Sequence, residues 1–408
     1  MSKPLGADRP YPARTDPLPR QIREVTPEVL TGLLAHRYPG IVVIGVETVE
    51  VKNSHTTKLR LRLDLNDVGV EAGIPHDVCL KANLSGLRTG LICEREARFY
   101  YLIGEGLECP VPAVYYADWD ADGRGNGLVL MEDLTVAPGA FGASTDHLGV
   151  DGVAAGLESL AVVHGAMWDD PRLEEFTWLA PSMGTDNDTE QVIDYWQYIW
   201  FNLTQPEYEA VVPAWVYDTP EVLSHALDEL SAFELALQGP KCLVHGDSHQ
   251  GNSFLRSDGQ RVWVDWQLVR KGSAWRDVCY FMVSSLTVEE RRSADRSLVE
   301  LYRQRLISTG ARGVPSADEA WRQVVLWPAY GTQAWLGNIN QWGQRNGVEM
   351  VKRHFTAAAD WDTFRTLTEG KRPRRPFVPG ERALPLAPEL RSQLDARLGT
   401  GHGWTRRE

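Results

Sequence analysis

The clearest pattern in the chain is alternation. From Lys58 to Leu65, Leu59, Leu61, Leu63 and Leu65 fall on one side and Lys58, Arg60, Arg62 and Asp64 on the other. A period of two with a single apolar face predicts a half-buried antiparallel strand. Ile41 to Val51, rich in Val and Ile, reads as a strand before it, and Lys52 to Thr57 as the polar turn that joins the two. A third strand, Asp77 to Leu84, places Val78, Leu80 and Ala82 on one face and Cys79 and Lys81 on the other. A lysine in mid-strand among apolar residues needs an anionic partner or a path to water. Arg88 to Ile103 reads as a helix ended by Gly104 and Gly106, with Ile92, Ala97, Phe99 and Tyr100 as its apolar side. Ala113 to Ala117 and Leu128 to Leu134 are two further strands around a Gly- and Asp-rich link. The expected product is a five-stranded antiparallel sheet with one helix packed on it.

Past Leu134 the period changes. Residues 135–150 read as a linker, and most of the chain beyond them is helical. Gly152 to Trp168 brings Val153, Leu157, Leu160, Ala161, His164 and Trp168 to one face, so His164 is expected to be a satisfied core residue. Gln191 to Leu203 is an aromatic helical stretch. Thr219-Pro220-Glu221 and Thr287-Val288-Glu289-Glu290 carry helix-start chemistry, the second as a capping box. Ala317 to Ile339 and Val348 to Leu367 read as further helices. The exception in this half is Cys242 to Gln267, two short apolar strands that carry a dense set of polar residues. The fold class is therefore α+β. Residues 1–20 are expected to be a flexible arm, 21–134 a sheet-bearing N-terminal lobe, 135–370 a helical lobe and 371–408 an extended tail.

Composition narrows the picture only in places. A net charge of −13, with no Lys/Arg stripe, argues against a nucleic-acid partner. Cys79, Cys93, Cys109, Cys242 and Cys279 are scattered and form no CxxC pair, which suits a reducing, cytoplasmic setting. No run of about 18 apolar residues is present, so no membrane span is expected. The 15 tryptophans are expected to serve mainly as core residues, with Trp327, Tyr330, Trp335, Trp342 and the aromatics of 195–201 as candidates to line a pocket.

The stretch CLVHGDSHQGNSFLRSDGQRVWVDWQ concentrates the chemistry. Asp247 and Asp265 are carboxylates and Asn252 offers an amide oxygen. Hard oxygen donors that leave positions open suit Mg²⁺ beside phosphate. A carboxylate left off the metal can take a proton from a hydroxyl. With a strand lysine and a helix glutamate elsewhere, the set looks like phosphoryl transfer. Two rivals use the same letters: His245, Asp247 and His249 as a transition-metal cluster, and Gly246-Asp247-Ser248 as the nucleophile block of a serine hydrolase. The first lacks a further histidine in the following hundred or so residues, and the second lacks a late Asp-x-x-His pair.

These residues resemble the aminoglycoside phosphotransferase/choline kinase superfamily, most closely its ecdysteroid kinase-like branch. His245-Gly246-Asp247-Ser248-His249-Gln250-Gly251-Asn252 is similar to the family's catalytic loop, and Val264-Asp265-Trp266-Gln267 to its metal-binding block. Ala274-Trp275-Arg276-Asp277-Val278 resembles the Arg-Asp block that comes next. Lys81 and Glu96 stand where the family has its strand lysine and helix glutamate, and Leu130 to Leu134 resembles its hinge. The resemblance spans residues 41–365 and implies a two-lobed protein-kinase-like fold using ATP and Mg²⁺ on a small-molecule alcohol. It implies Asp247 as catalytic base and Asn252 and Asp265 as metal ligands. Lys81 would hold the phosphates and Glu96 would hold Lys81. Backbone groups near Glu132 to Leu134 would read adenine, and Asp277 would support the catalytic loop. The nucleotide loop, residues 52–57, has no glycine; its backbone amides, with Ser54, His55 and Thr56, are its candidate donors to phosphate. The alternative is a catalytically silent nucleotide-binding pseudokinase module.

Overall fold

The computed structural model describes residues 16–53, 56–84, 91–107, 110–120, 122–180, 199, 201–337 and 344–373. The arm up to residue 15, the tail from 374, the start of the helix expected at Arg88, most of Gln191 to Leu203, and Ile339 lie outside the described residues. By contact the chain forms two compact units that do not follow chain order. One comprises residues 1–142, 171–179 and 251–269, the other 143–170, 180–250 and 270–408.

In the first unit, strands β1 (Val43–Asn53), β2 (Thr57–Leu65), β3 (Asp77–Ala82), β4 (Val114–Trp119) and β5 (Gly127–Glu132) form one sheet in the order β1-β2-β3-β5-β4. Every neighbouring pair is antiparallel. The period-two reading of β2 holds, because its leucines are buried with Val78, Leu80, Leu128 and Leu130 in one apolar cluster. Helix α1 (Pro27–Ala35) covers that cluster with Leu30, Leu33 and Leu34, and the Thr26 side chain caps it by accepting the Val29 N–H. Helix α2 (Asp67–Glu71) occupies a segment that reads as plain loop. It is too short to show a period, and the Asn66 side chain nucleates it by accepting the Gly69 N–H. Helix α3 (Ile92–Leu102) lies against β4 and β5. The approach is so close that a Cβ on Gly127 would sit 2.2 Å from the Cys93 carbonyl oxygen.

The segment expected to be a linker holds a strand, β6 (Gly139–Phe141), which pairs with β8 (Ser253–Arg256), itself paired with β9 (Arg261–Trp263). Three residues rich in Gly and Ala carry no strand signal; the partner 115 or so residues away supplies it. The two strands expected in the central stretch are three, and they part company. Strand β7 (Cys242–Val244) pairs with β10 (Arg270–Gly272) in the second unit, while β8 and β9 belong to the first.

The second unit is mainly helical. The helix Trp275–Ser285 is buried along its whole length, and the helix Gly149–Ala166 packs on Val288–Ser308. The capping box at Thr287 and Glu290 forms as expected. Two helices expected to be continuous are broken. Ala317–Val324 and Pro328–Leu336 are separated at Pro328, and Gln344–Asp360 and Thr363–Thr368 at Asp362, which adopts φ 56°. Among the described residues no helix is long and apolar enough to cross a membrane.

Candidate functional site

In the first unit the site is built on β2, β3, α3 and the segment after β9. Lys81, 4% exposed, places Nζ 2.6 Å from Glu96 Oε2 and 2.6 Å from Asp265 Oδ1. Burial alone would lower the Lys81 pKa, but the Asp265 and Glu96 carboxylates outweigh it and hold the ammonium charged. The Glu96 carboxyl is pushed up by burial, against the pull of Lys81. Burial pushes Asp265 the same way, yet Lys58 and Lys81 overcome it and keep Asp265 well below the usual carboxylate range. Lys58 is the part that the sequence reading missed. It sits directly opposite Lys81 in the β2–β3 register, and its Nζ lies 2.9 Å from Asp265 Oδ2. In sequence it is indistinguishable from Arg60 and Arg62 on the same polar face.

Local structure fixes this cluster from both ends. Asp265 has φ 67°, a left-handed conformation that a non-glycine residue adopts only when its surroundings enforce it. The enforcing contacts come at Trp266. Its backbone N–H donates to Glu96 Oε1 at 3.1 Å, and its ring stacks on Phe99 at 4.0 Å and 12°. Glu96 thus holds Lys81 with one oxygen and the residue after Asp265 with the other. Asn252 is buried, and its carbonyl accepts the Val264 N–H at 3.0 Å, which ties it to the residue before Asp265.

The other predicted residues of this unit are placed less freely. The Glu132 side chain accepts from Arg256 Nη2 at 2.6 Å and from the Ala113 N–H at 3.0 Å. The Glu132 backbone N–H donates to the Ala113 carbonyl, and the Leu134 carbonyl accepts the Ala137 N–H. Those two backbone groups are committed within the protein. Leu134 packs with Phe254 and Val262. Burial pushes the Cys79 thiol up to about 11, so it is a neutral thiol. Ser54 lies outside the described residues.

In the second unit Asp247 sits on a loop with few free dimensions. Gly246 has φ 86°, which favours glycine. The Asp277 carboxylate, 1% exposed, accepts the His245 N–H at 2.7 Å and the Gly246 N–H at 3.0 Å. The Gly246 carbonyl accepts from Arg276 Nη2 at 2.8 Å and from the Tyr330 hydroxyl at 3.1 Å. His164 is the core histidine expected: wholly buried, with Nδ1 2.7 Å from the Tyr302 hydroxyl and Nε2 3.2 Å from Asp277. Burial would raise the Asp277 pKa, but His164, His245 and Arg276 hold it below the usual range, so it stays an acceptor. His245 Nδ1 accepts the Asp247 N–H at 3.2 Å, and His249 Nδ1 lies 3.4 Å from Ser144 Oγ. Both histidines are engaged in shaping the loop. Among the described residues no group of three His, Cys, Asp or Glu is placed to hold a metal.

Aromatic side chains surround this loop within the same unit. Burial, then the charge of the nearby Asp247 carboxylate, pushes the Tyr280 hydroxyl's pKa well up. Tyr280 lies 5.3 Å from the Tyr330 ring and stacks on Trp335 at 6.4 Å, and the His249 ring is 5.5 Å from Trp335. Trp327 is 1% exposed and serves the core. Tyr195, Trp196, Tyr198, Trp200 and Trp342 lie outside the described residues. Tyr280 escaped the sequence reading; its signal was the spacing of three from Asp277 on one helix.

Residues 77–315 match the family described as the phosphotransferase enzyme family, APH. A Ralstonia eutropha protein described as an aminoglycoside phosphotransferase shares the fold, with a TM-score of 0.51 at 13% identity over 84% of this chain and 99% of that one. Spectinomycin phosphotransferase, solved with ADP and spectinomycin, aligns at 12% identity over 81% of this chain and 97% of its own, with a TM-score of 0.46. A choline/ethanolamine kinase family protein from Mesorhizobium loti aligns at 16% identity over 91% and 99%, with a TM-score of 0.39. No curated protein matches the sequence.

Proposed function

Because this chain belongs to the phosphotransferase enzyme family, we propose that it moves the terminal phosphoryl group of ATP to a hydroxyl of a small molecule, with Mg²⁺ as its metal. The observation that carries this reading is the Glu96–Lys81–Asp265 chain, with Glu96 and Lys81 buried and 2.6 Å at each link. It presents an ammonium that cannot titrate away and a carboxylate that stays ionised, the pair that phosphate and a hard cation require. The donor set fits the metal. Asp265 and Asn252 are oxygen donors from adjacent, hydrogen-bonded backbone, and no thiol is among them. When bound, Mg²⁺ would supply neutralisation of phosphate charge. Lys81 would contact the phosphates with its charge held in place by Glu96. Asp247 would accept the proton of the acceptor hydroxyl, its loop fixed by Asp277. The backbone of Glu132 to Leu134 would read adenine with the groups that Ala113 and Ala137 leave to it, and Ser54 would add a donor to phosphate. Residues 21–134 would then act as the nucleotide lobe and 135–370 as the acceptor lobe, in the cytoplasm, where the free cysteines Cys79, Cys93, Cys242 and Cys279 remain reduced.

The surroundings of Asp247 support one acceptor class over another. Tyr280, Tyr330, Trp335 and His249 bring aromatic side chains to that loop, beside the charged Arg276 and Asp277 that hold its backbone. These surroundings suit an alcohol on an apolar or ring-shaped body better than a polycation, which would call for several carboxylates. The test is transfer from labelled ATP to a panel of alcohols, sterols, sugars and antibiotics. Asp247→Ala should bind ATP normally and lose about a thousandfold in turnover. Mg²⁺-dependent activity that survives both Asp247→Ala and Asp265→Ala sinks the assignment. Nucleotide binding with no turnover on any acceptor favours the pseudokinase reading.

A further inference from the structure

We propose that Lys58 is a stand-in for the divalent cation at Asp265: it holds the second carboxylate oxygen while no nucleotide is bound, and so makes cation binding conditional on nucleotide. The inference rests on Asp265 being the metal ligand of the proposed reaction.

The geometry is a square of charges. Lys58 and Lys81 face each other across β2 and β3, and each ammonium takes a different oxygen of Asp265, Oδ2 at 2.9 Å and Oδ1 at 2.6 Å. Lys81 is shared, since Glu96 lies 2.6 Å from the same Nζ. Two ammoniums and two carboxylates cancel. Take Lys58 away and the buried group carries one net negative charge at Asp265, whose side chain is 10% exposed. Lys58 is therefore the counterion that belongs to Asp265, while Lys81 is balanced by Glu96.

The two lysines differ in what they can do next. Lys81 is 4% exposed and boxed in by two carboxylates. Lys58 is 29% exposed, on a flexible stem, with room to swing off Asp265 toward solvent or toward another anion. The neighbouring cations of β2 lack that role. Arg60 pairs with Asp133 and Glu50, and Arg62 with Asp77 and Glu47, acids in ordinary backbone. Asp265 alone among these acids sits in the left-handed region. A cation that arrives without nucleotide has to displace the Lys58 ammonium from Oδ2 with only solvent to receive it. The phosphates of a nucleotide give Lys58 an alternative anion and so shift it off Oδ2.

The experiment measures Mn²⁺ binding to the full chain by electron paramagnetic resonance, with and without a non-hydrolysable ATP analogue, and needs no turnover. Wild type and Lys58→Arg should bind Mn²⁺ weakly alone and at least tenfold more tightly with the analogue. Lys58→Met should bind Mn²⁺ alone at least tenfold more tightly than wild type, and should lose most of the dependence on the analogue. Mn²⁺ alone should also raise the melting temperature of Lys58→Met and leave that of wild type unchanged, which doubles as the check that the variant folds. The idea is overturned if Lys58→Met binds Mn²⁺ alone within twofold of wild type while the analogue still binds. If neither Mn²⁺ nor the analogue binds wild type, the phosphotransferase reading itself fails and the inference goes with it.

Discussion

At the scale of single residues, charge balance in dry surroundings governs what each side chain can be. Lys81→Met would leave the buried Glu96 and the half-buried Asp265 with one lysine between them. Removing one partner of such a network costs about 3–5 kcal/mol, and denaturant unfolding at neutral pH should show it together with a loss of nucleotide affinity. Asp277→Asn keeps the shape but gives up the charge that accepts two loop N–H groups. About 1.5–3 kcal/mol is at stake in such charged hydrogen bonds, and the expected signature is a lower kcat with little change in KM for ATP, since the loop and not the phosphate clamp is loosened. His354 gives the pH dependence. Burial, then Arg353, lowers its pKa from 6.5 to about 3. The unfolded chain therefore binds a proton below pH 6.5 that the folded chain refuses, so stability falls as pH drops from 6.5 toward 3. His354→Gln should flatten that limb of the stability–pH curve by on the order of a few kcal/mol; a limb of unchanged slope would place the titrating group elsewhere. Asp265 and Asp277, whose pKa values are lowered, add their own loss only below the ordinary carboxylate range.

At the scale of elements, pairing decides what composition leaves open. The alternation in β2 predicts a strand and which face is buried, but register is a property of two strands, and the register puts Lys58 opposite Lys81. Strand β6 exists because β8 offers it an edge, and helix α2 because Asn66 caps it. The long helix expected at Val348 breaks at Asp362, which leaves helical backbone, and the one expected at Ala317 breaks just before Pro328, which lacks the N–H that a continuous helix would use; periodicity registers neither. Gly127 is where element packing meets the site. With the Cys93 carbonyl oxygen 2.2 Å from any Cβ, Gly127→Ala must push α3 off β5. Backbone has no rotamer with which to yield, so a cost of about 3 kcal/mol is expected. Because α3 carries Glu96, the KM for ATP should rise as well; a stable variant with unaltered KM would show that the helix position is not what holds Lys81.

At the scale of the whole chain, the units are assembled from interleaved segments, and the residues assigned to chemistry are split between them. Asn252 and Asp265 belong to the unit that carries the sheet, and Asp247 and Asp277 to the helical one. The chain changes unit between Gln250 and Gly251, inside the motif. Nucleotide that binds only the folded chain should stabilise it by mass action. ATP analogue at a hundredfold excess over its dissociation constant is expected to add about 2.7 kcal/mol, read as a rise in melting temperature that Lys81→Met reduces. The charge of −13 argues against a nucleic-acid partner.

What could be read from the sequence was whatever is encoded locally. The strand faces come from a period of two, the capping box at Thr287 from a four-residue spacing, and the proposed roles of Asp247, Asn252, Asp265, Lys81 and Glu96 from the resemblance of short motifs, in a fixed order, to a known family. The sheet of five antiparallel strands and the core position of His164 were legible for that reason. Tertiary structure alone decided which side chains meet. The Lys58–Asp265 pair joins residues 207 apart, Lys81–Asp265 joins residues 184 apart, and Trp266 reaches Glu96 across 170. No local pattern distinguishes Lys58 from Arg60 or Arg62. Its partner is set by the β2–β3 register and by the left-handed turn at Asp265, and both exist only once the chain has closed on itself.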